Sequence, residues 1–251
     1  MLFPMKLRIV TFNIHKGVSA ASRKHILPEI KSLLHTLDAD IIFLQEVQGE
    51  HRKRSERFDD WPEGSQANFL ADERWPYHYY AQCSTHEHGH HGNALLSKYP
   101  LQEVTSVDIS SHPFSTRGLL YAQVQVQENG VPLHLICTHF GLLRKERSKQ
   151  FGSLNEFITS KIPEDHALLV AGDFNDWRLG AIELLEKSLN LKEIFYEKEG
   201  EYARTFPAKL PMLCMDRIYY RGLMPKHQAV IQTIKLSDHL PLMAEFDLLS
   251  R

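Results

Sequence analysis

Apolar residues recur in short runs along the chain, many of them alternating with polar residues, which is typical of β-strands. Residues 6–14 form the first such run, with Leu7, Ile9 and Phe12 among its apolar positions. Asn129-Gly130 separates two later runs and predicts a hairpin turn. The other predicted strands are 40–46, 77–82, 93–97, 104–109, 119–126, 133–137, 166–171, 214–220, 228–234 and 241–246.

Apolar residues at helical spacing predict three helices, at 22–37, 142–158 and 180–189. Pro28 lies inside the first of these patterns, so we expect that helix to begin near it. Residues 51–71 are polar and aperiodic and are predicted to form a loop. Because the chain has no internal repeat and no linker, we expect a single domain over 1–251, with mixed sheets covered by helices.

Composition narrows the class of protein. The chain has 251 residues, 43% of them hydrophobic, and a formal net charge of −2, so it lacks the basic surplus of many proteins that hold DNA non-specifically. Its three cysteines make neither a disulfide framework nor a zinc pair. No apolar run approaches the roughly 20 residues that span a bilayer. We therefore expect a cytoplasmic monomer without stable membrane insertion.

Polar side chains stand where several predicted strands end. Glu46, Asp173 and Asp238 offer carboxylate oxygens, and Asn13 and Asn175 offer neutral oxygen donors. Hard oxygen ligands suit Mg²⁺, with Mn²⁺ as the alternative, whereas zinc prefers cysteine or several histidines. A magnesium ion held by one or two carboxylates leaves positions for phosphate oxygens. The set therefore indicates metal-assisted phosphate chemistry.

Two histidines accompany these ligands. His139 follows a predicted strand and His239 precedes the last one, and either can transfer protons or hydrogen-bond a phosphate near neutral pH. Asp216 lies in a late predicted strand and can fix the tautomer of one histidine.

Together, these motifs resemble the endonuclease/exonuclease/phosphatase family, which includes deoxyribonucleases, abasic-site endonucleases, sphingomyelinases and inositol polyphosphate 5-phosphatases. Each motif alone is weak evidence, but their order and their positions at strand ends are specific. The motifs are Thr11-Phe12-Asn13, Gln45-Glu46, Gly92-Asn93, Thr116-Arg117-Gly118, Thr138-His139, Gly172-Asp173-Phe174-Asn175, Asp216-Arg217-Ile218 and Ser237-Asp238-His239. The resemblance implies a four-layer α/β (α+β) sandwich, in which helices flank two packed mixed β-sheets.

The resemblance also implies roles in metal binding and water activation. Glu46 is expected to be the principal metal ligand, with Asn13 and Asp238 as direct or water-bridged partners. Asp173 and Asn175 are expected to position or activate the attacking water and to touch the phosphate.

The remaining implied roles concern the phosphate and the leaving group. His239, oriented by Asp216, is expected to meet the scissile phosphate. His139 is expected to assist the leaving group, oriented by Asn93, and Arg117 to clamp the phosphate. Whether Asp173 or the last histidine is the general base stays open.

Three functions fit these observations. A nuclease is favoured by basic runs at 52–57 and 144–149, each just beyond a site strand. A phosphodiesterase or phosphatase for a phospholipid or inositol phosphate is the alternative, and a non-catalytic binding module on the same fold is the third. The histidine-rich segment 86–91 leads into Asn93, and we expect it to form part of the rim of the site.

Overall fold

The computed structural model describes residues 5–19, 24–111, 116–126, 130–180, 183–233 and 235–248. The strands of these residues are β1 (Lys6–Asn13), β2 (Ile41–His51), β3 (Tyr77–His86), β4 (Gly89–Ser97), β5 (Leu101–Asp108), β6 (Gly118–Val124), β7 (Leu133–His139), β8 (Leu168–Asp173), β9 (Lys192–Glu193), β10 (Asp216–Arg221), β11 (Leu223–Val230) and β12 (Leu242–Leu248). The α-helices are α1 (Leu27–Leu37), α2 (Arg52–Ser55), α3 (Gln66–Ala71), α4 (Arg144–Lys161) and α5 (Ile194–Glu199).

The strands form two mixed six-stranded sheets. The first has the order β11-β12-β1-β2-β4-β3, and the second has the order β5-β6-β7-β8-β10-β9. The pairs β1–β2 and β7–β8 are parallel, and the other pairs are antiparallel. The predicted sandwich of two mixed sheets with flanking helices is therefore confirmed.

Alternation along the strands divides the apolar side chains into three layers. Ile9 of β1 and Leu169 of β8 lie in the core between the sheets, whereas their neighbours Val10 and Val170 lie on the outer faces. Helices α1 and α3 cover the outer face of the first sheet, and α4 covers that of the second. Since the side-chain period of a strand is two, each strand serves both layers.

This alternation also positions polar residues. Asn13 continues the inward-facing series of β1, and Asp173 continues that of β8 after Leu169 and Ala171. Both residues lie at the carboxyl ends of their strands, where the core between the sheets opens. The same edge of the sandwich therefore receives polar side chains from both sheets.

Several element boundaries differ from the sequence-based predictions. The loop predicted at 51–71 contains α2 and α3, which are too short to show a helical period. The histidine-rich segment 86–91 is not a break between strands, because it belongs to the β3–β4 hairpin. The helix predicted at 180–189 includes a π-helical turn at Glu183–Ser188, while Asn129 of the predicted hairpin turn lies outside the described residues. The start of α1, with Pro28 in its first turn, is confirmed.

Among the described residues, no helix has the length and apolarity needed to span a bilayer.

Candidate active site

Strand register aligns three of the predicted site residues. His139 of β7 pairs with Asp173 of β8, and Asp173 pairs with Asp216 of β10. The first sheet supplies Asn13, whose Nδ2 donates a hydrogen bond of 3.1 Å to Asp173 Oδ2. His239 immediately precedes the segment that leads into β12, the partner of β1. Five predicted site residues from both sheets thus meet at one edge.

Asp173 is the centre of this cluster. Its Oδ2 lies 3.4 Å from His139 Nε2 and 3.8 Å from His239 Nε2. Its Oδ1 accepts a hydrogen bond of 2.9 Å from the backbone N–H of Asn175. Burial raises the pKa of Asp173 to about 7, because the opposing charge of His239 only partly offsets the loss of solvent. Near neutral pH, this carboxyl group can therefore both hold and release a proton.

His239 forms a close pair with Asp216. Its Nδ1 lies 2.8 Å from Asp216 Oδ2, and both side chains are buried. Burial disfavours the imidazolium, but the carboxylates of Asp216 and Asp173 outweigh this effect and raise the pKa of His239 to about 10. Ligand atoms of Asp173, Asp216 and His239 lie within 4.8 Å of one another, close enough to hold a metal ion.

Glu46 projects from a bulge in β2. The register of β2 with β4 shifts between Leu44 and Val47, and the backbone of Glu46 has a φ of 54°, a left-handed value that is costly for a residue with a Cβ. Its side chain is 19% exposed, and its Oε2 lies 3.3 Å from Lys16 Nζ. Burial would raise its pKa, but electrostatic interaction with the His139 ring and with the Lys16 ammonium lowers it to about 2. The bulge thus holds an ionised carboxylate at the edge of the site.

His139 and Arg117 line one small cavity, together with His91 and Asn93. Burial, followed by the positive charge of Arg117, holds the pKa of His139 well below its usual range, so its imidazole is neutral. The backbone N–H of Arg117 donates 2.9 Å to Ser110 Oγ, which anchors the segment that carries the guanidinium. A neutral base and a cation therefore face the same space.

Among the other predicted residues, Asn93 and Asn175 each donate a side-chain hydrogen bond to a backbone carbonyl. Asn93 donates from Nδ2 to the carbonyl of Gly118 at 2.9 Å, which ties β4 to β6. Its predicted role in orienting His139 rests only on the cavity that both residues line. Asn175 has a φ of 51° and donates from Nδ2 to the carbonyl of Phe140 at 3.0 Å. Asp238 is half-buried and precedes His239, whose pKa its charge helps to raise.

Two buried arginines brace the loop after Asp173. Arg217 belongs to one of the family motifs and Arg147 to the basic run 144–149, but the sequence predicted this bracing role for neither. Arg217 donates to the carbonyl of Asp176 at 2.6 Å, and its guanidinium lies 4.8 Å from the ring centroid of Tyr202. Arg147 bonds the carbonyl of Leu142 and lies 5.3 Å from the ring centroid of Trp177. One available signal was that Arg217 follows Asp216 in a predicted strand, 214–220, whose other residues are apolar or aromatic.

Lys16 was not predicted as a site residue, although it lies three residues after Asn13. It belongs to a short left-handed stretch, since His15 and Lys16 have φ values of 46° and 59°. Burial is the main cause that lowers the pKa of His91, and the charge of Lys16 adds to it, so that this pKa falls to about 4. His91 therefore belongs to the rim of the site as a neutral side chain.

Comparison with known proteins agrees with this geometry. Residues 10–239 match the Endonuclease/Exonuclease/phosphatase family. The match extends from β1 to His239 and covers most of the chain, so the chain belongs to this family. Members of the family are metal-dependent phosphoesterases, and the buried group of Asp173, Asp216 and His239 lies where the matched strands converge.

The similar proteins include one relative found by sequence and two solved structures. YbhP of Escherichia coli strain K12, described as uncharacterized, is 39% identical over 244 residues, which are 96% of either chain. Zebrafish (D. rerio) TDP2 complexed with a single-strand DNA product is similar with a TM-score of 0.70 and 19% identity, covering 96% of this chain and 99% of that one. A mannosyl-6-phosphatase of Bacteroides thetaiotaomicron VPI-5482 has a TM-score of 0.72 and 16% identity, with the same coverage of 96% and 99%. At these identities the two structures support the fold alone.

Proposed function

We propose that the chain is a Mg²⁺-dependent phosphodiesterase of the nuclease type, in which water attacks the phosphate in line with the leaving oxygen. The observation that carries this proposal is the contact set of Asp173, which joins Asn13, His139 and His239 at the opening between the sheets. These groups surround a single carboxylate that can accept a proton, which is what activation of a water molecule requires.

The metal is assigned to the Glu46 side of the site. Glu46 Oε2 is buried, and it pairs with Lys16 Nζ at 3.3 Å without making a hydrogen bond to the described residues, so this carboxylate can also accept a divalent cation. Asp238 and the amide oxygen of Asn13 are the other proposed ligands. His239 is excluded as a ligand while it is protonated and paired with Asp216, because only a neutral imidazole coordinates metals. When bound, Mg²⁺ supplies positive charge against the charge that develops on the phosphate oxygens.

Asp173 is the proposed general base. Its pKa of about 7 makes the carboxylate a stronger base than an exposed aspartate, and Asn13 and Asn175 fix both of its oxygens. The His239 imidazolium is proposed to donate from Nε2 to a phosphate oxygen, while Asp216 holds the ring through Nδ1. This division of roles follows from the opposite protonation preferences of the two groups.

His139 and Arg117 are proposed to act on the other side of the phosphate. The neutral imidazole of His139 can hydrogen-bond the leaving oxygen or a water molecule beside it. Arg117 can hold phosphate oxygens through charge-assisted hydrogen bonds. Its Nε is buried without a hydrogen-bond acceptor in the described part of the chain, which supports a role in holding an anion.

A phospholipid or inositol-phosphate phosphodiesterase remains the second candidate. Leu142 and Leu143 are exposed just beyond β7, and Leu210 and Met212 are exposed on the loop before β10. Exposed apolar side chains on loops beside an active site are features that a membrane surface can bind.

The test is hydrolysis by purified protein of a panel with and without Mg²⁺. The panel contains plasmid DNA, single-stranded oligonucleotides, structured RNA, phospholipid vesicles, inositol phosphates and an aryl phosphodiester. We expect Mg²⁺-dependent cleavage of a nucleic acid, lost in Glu46→Gln and kept in Glu50→Gln, which changes an exposed glutamate of the same strand. Cleavage of lipid or inositol phosphate alone would select the second candidate. Metal-independent activity, or full activity in Glu46→Gln, would contradict the metal assignment.

A further inference from the structure

A cavity of about 730 Å³ lies next to the catalytic segment and is not used by the proposed chemistry. Its size falls within the range of roughly 300–1,000 Å³ that is typical of ligand pockets. Ser237 and Asp238 form one wall, so the cavity begins at the residue before His239. A molecule bound there would lie beside the scissile phosphate.

Hydrogen bonds tie the cavity walls to the active site. Ser237 Oγ donates to the carbonyl of Asn13 at 2.7 Å. The backbone N–H of Ala208 donates to the carbonyl of Asp238 at 2.7 Å, which joins the floor of the cavity to the same segment. The cavity is therefore held in a fixed relation to Asn13 and His239.

Part of the lining is apolar. Ile26 and Ala208 are buried and form part of the floor. Leu210 is 66% exposed and lines the rim, so folding alone removes little of its apolar surface from water. An apolar floor with an exposed leucine at the rim suits a ligand that brings a sugar or base into the cavity.

The charged lining favours anions. Lys24, Lys209 and Lys235 line the cavity, and the carboxylates that line it are Glu29 and Asp238. Asp238 belongs to the proposed metal site, where a divalent cation would offset its charge. Lysines around a concave, partly apolar surface concentrate positive potential, which attracts phosphate groups. This local surplus occurs in a chain whose formal net charge is −2.

We propose that the Lys24–Lys209–Lys235 cavity binds the nucleotide next to the scissile phosphate, with the second phosphate of that nucleotide on the lysines and its apolar faces on the floor. This inference rests on the proposed function and names its substrate class as a nucleotide chain with at least two phosphates. The cavity then contributes to kcat/KM for such substrates and leaves the chemistry at Asp173 unchanged.

The test uses thymidine dinucleotide and the same dinucleotide with one added phosphate at either end. Binding is measured by calorimetry in EDTA, and hydrolysis is measured in Mg²⁺. The variants are the triple substitution Lys24→Gln, Lys209→Gln, Lys235→Gln and the control Lys6→Gln, an exposed lysine at the other end of β1 from Asn13. We expect wild type and control to bind one phosphorylated form about tenfold more tightly than the plain dinucleotide, and the triple variant to lose this preference.

Equal binding of all three dinucleotides by wild type, or a preference that survives in the triple variant, would overturn the inference even if hydrolysis occurs. If no dinucleotide is hydrolysed, the proposed function fails at this substrate, and the calorimetric comparison alone decides whether the cavity binds the second phosphate. Phosphatidylglycerol vesicles form a further arm. Binding of these vesicles that requires the lysines, without any dinucleotide preference, would assign the cavity to lipid and overturn the inference.

Discussion

His239 Nδ1 lies 2.8 Å from Asp216 Oδ2 in a buried pair that links the segment before β12 to the start of β10. The pair joins the two sheets at their polar edge and keeps the other ring nitrogen directed towards Asp173, at 3.8 Å. A positive charge is thereby held beside a carboxyl group whose own pKa is raised. The proposed roles of the two groups depend on this separation of charge states.

Asp216→Asn should lower kcat by about 10²-fold or more, because the ring loses the carboxylate that fixes it and favours its charge. The alkaline limit of activity should move from near pH 10, the raised pKa of His239, towards neutral pH. A pH–rate profile measures both effects. Asp60→Asn is the matched control, since it removes an aspartate 2.9 Å from His25 Nδ1 outside the site. An unchanged profile in Asp216→Asn would make the buried pair a structural feature only.

Asp173→Asn should stabilise the protein at pH 8 while it abolishes turnover. The pKa of Asp173 is raised from 3.8 to about 7, so the folded state keeps a proton that the unfolded chain releases. The native aspartate therefore costs stability as pH rises between these values, and the cost is absent below about pH 4. Urea unfolding in EDTA should show a gain of about 1–3 kcal/mol at pH 8 that is absent at pH 4. A loss of stability at pH 8 would show that the ionised carboxylate is favoured in the fold.

Glu46→Gly should be more stable than Glu46→Ala by about 1 kcal/mol, because a left-handed φ of 54° is less costly for glycine than for alanine. Both variants lack the carboxylate, so the difference isolates the backbone. Thermal or urea unfolding of the two proteins measures it. If Ala were the more stable variant, the bulge would relax when the carboxylate is removed, and no strain would be stored at this position.

Arg217→Ala should lower the free energy of unfolding by roughly 3 kcal/mol or more, since a fully buried guanidinium leaves backbone carbonyls and ring faces without their partner. Arg204→Ala, which changes an exposed arginine on the preceding loop, is the control and should be nearly neutral. Equal unfolding midpoints for the two variants would mean that Arg217 does not brace the loop after Asp173.

The positions of the site residues at strand ends were predictable, because the side chains of β1 and β8 alternate between the two faces of the sheet up to the last residue of each strand. Asn13 and Asp173 continue the inward-facing series of their strands, so a period of two is enough to bring them to one edge. The pairing of His139, Asp173 and Asp216 depends on the sheet order, which neither the periodicity nor the expected sandwich of two sheets specified.

Other features depend on contacts that no local pattern encodes. The helices α2, α3 and α5 have only four to six residues, so their helical period is too short to detect. The ion pair of Lys16 with Glu46 requires a left-handed turn and a strand bulge to coincide. The burial of Arg147 and Arg217 likewise appears only when α4 and β10 pack around the loop after Asp173.

The most direct test of the central claim is kcat/KM for a single-stranded thymidine oligonucleotide, measured for wild type and Asp173→Asn in Mg²⁺ and in EDTA. We expect wild-type cleavage that requires Mg²⁺, and a decrease of at least about 10³-fold in Asp173→Asn, which keeps the shape of the side chain but cannot accept the proton. Cleavage by Asp173→Asn at the wild-type rate, or wild-type cleavage that persists in EDTA, would contradict the account.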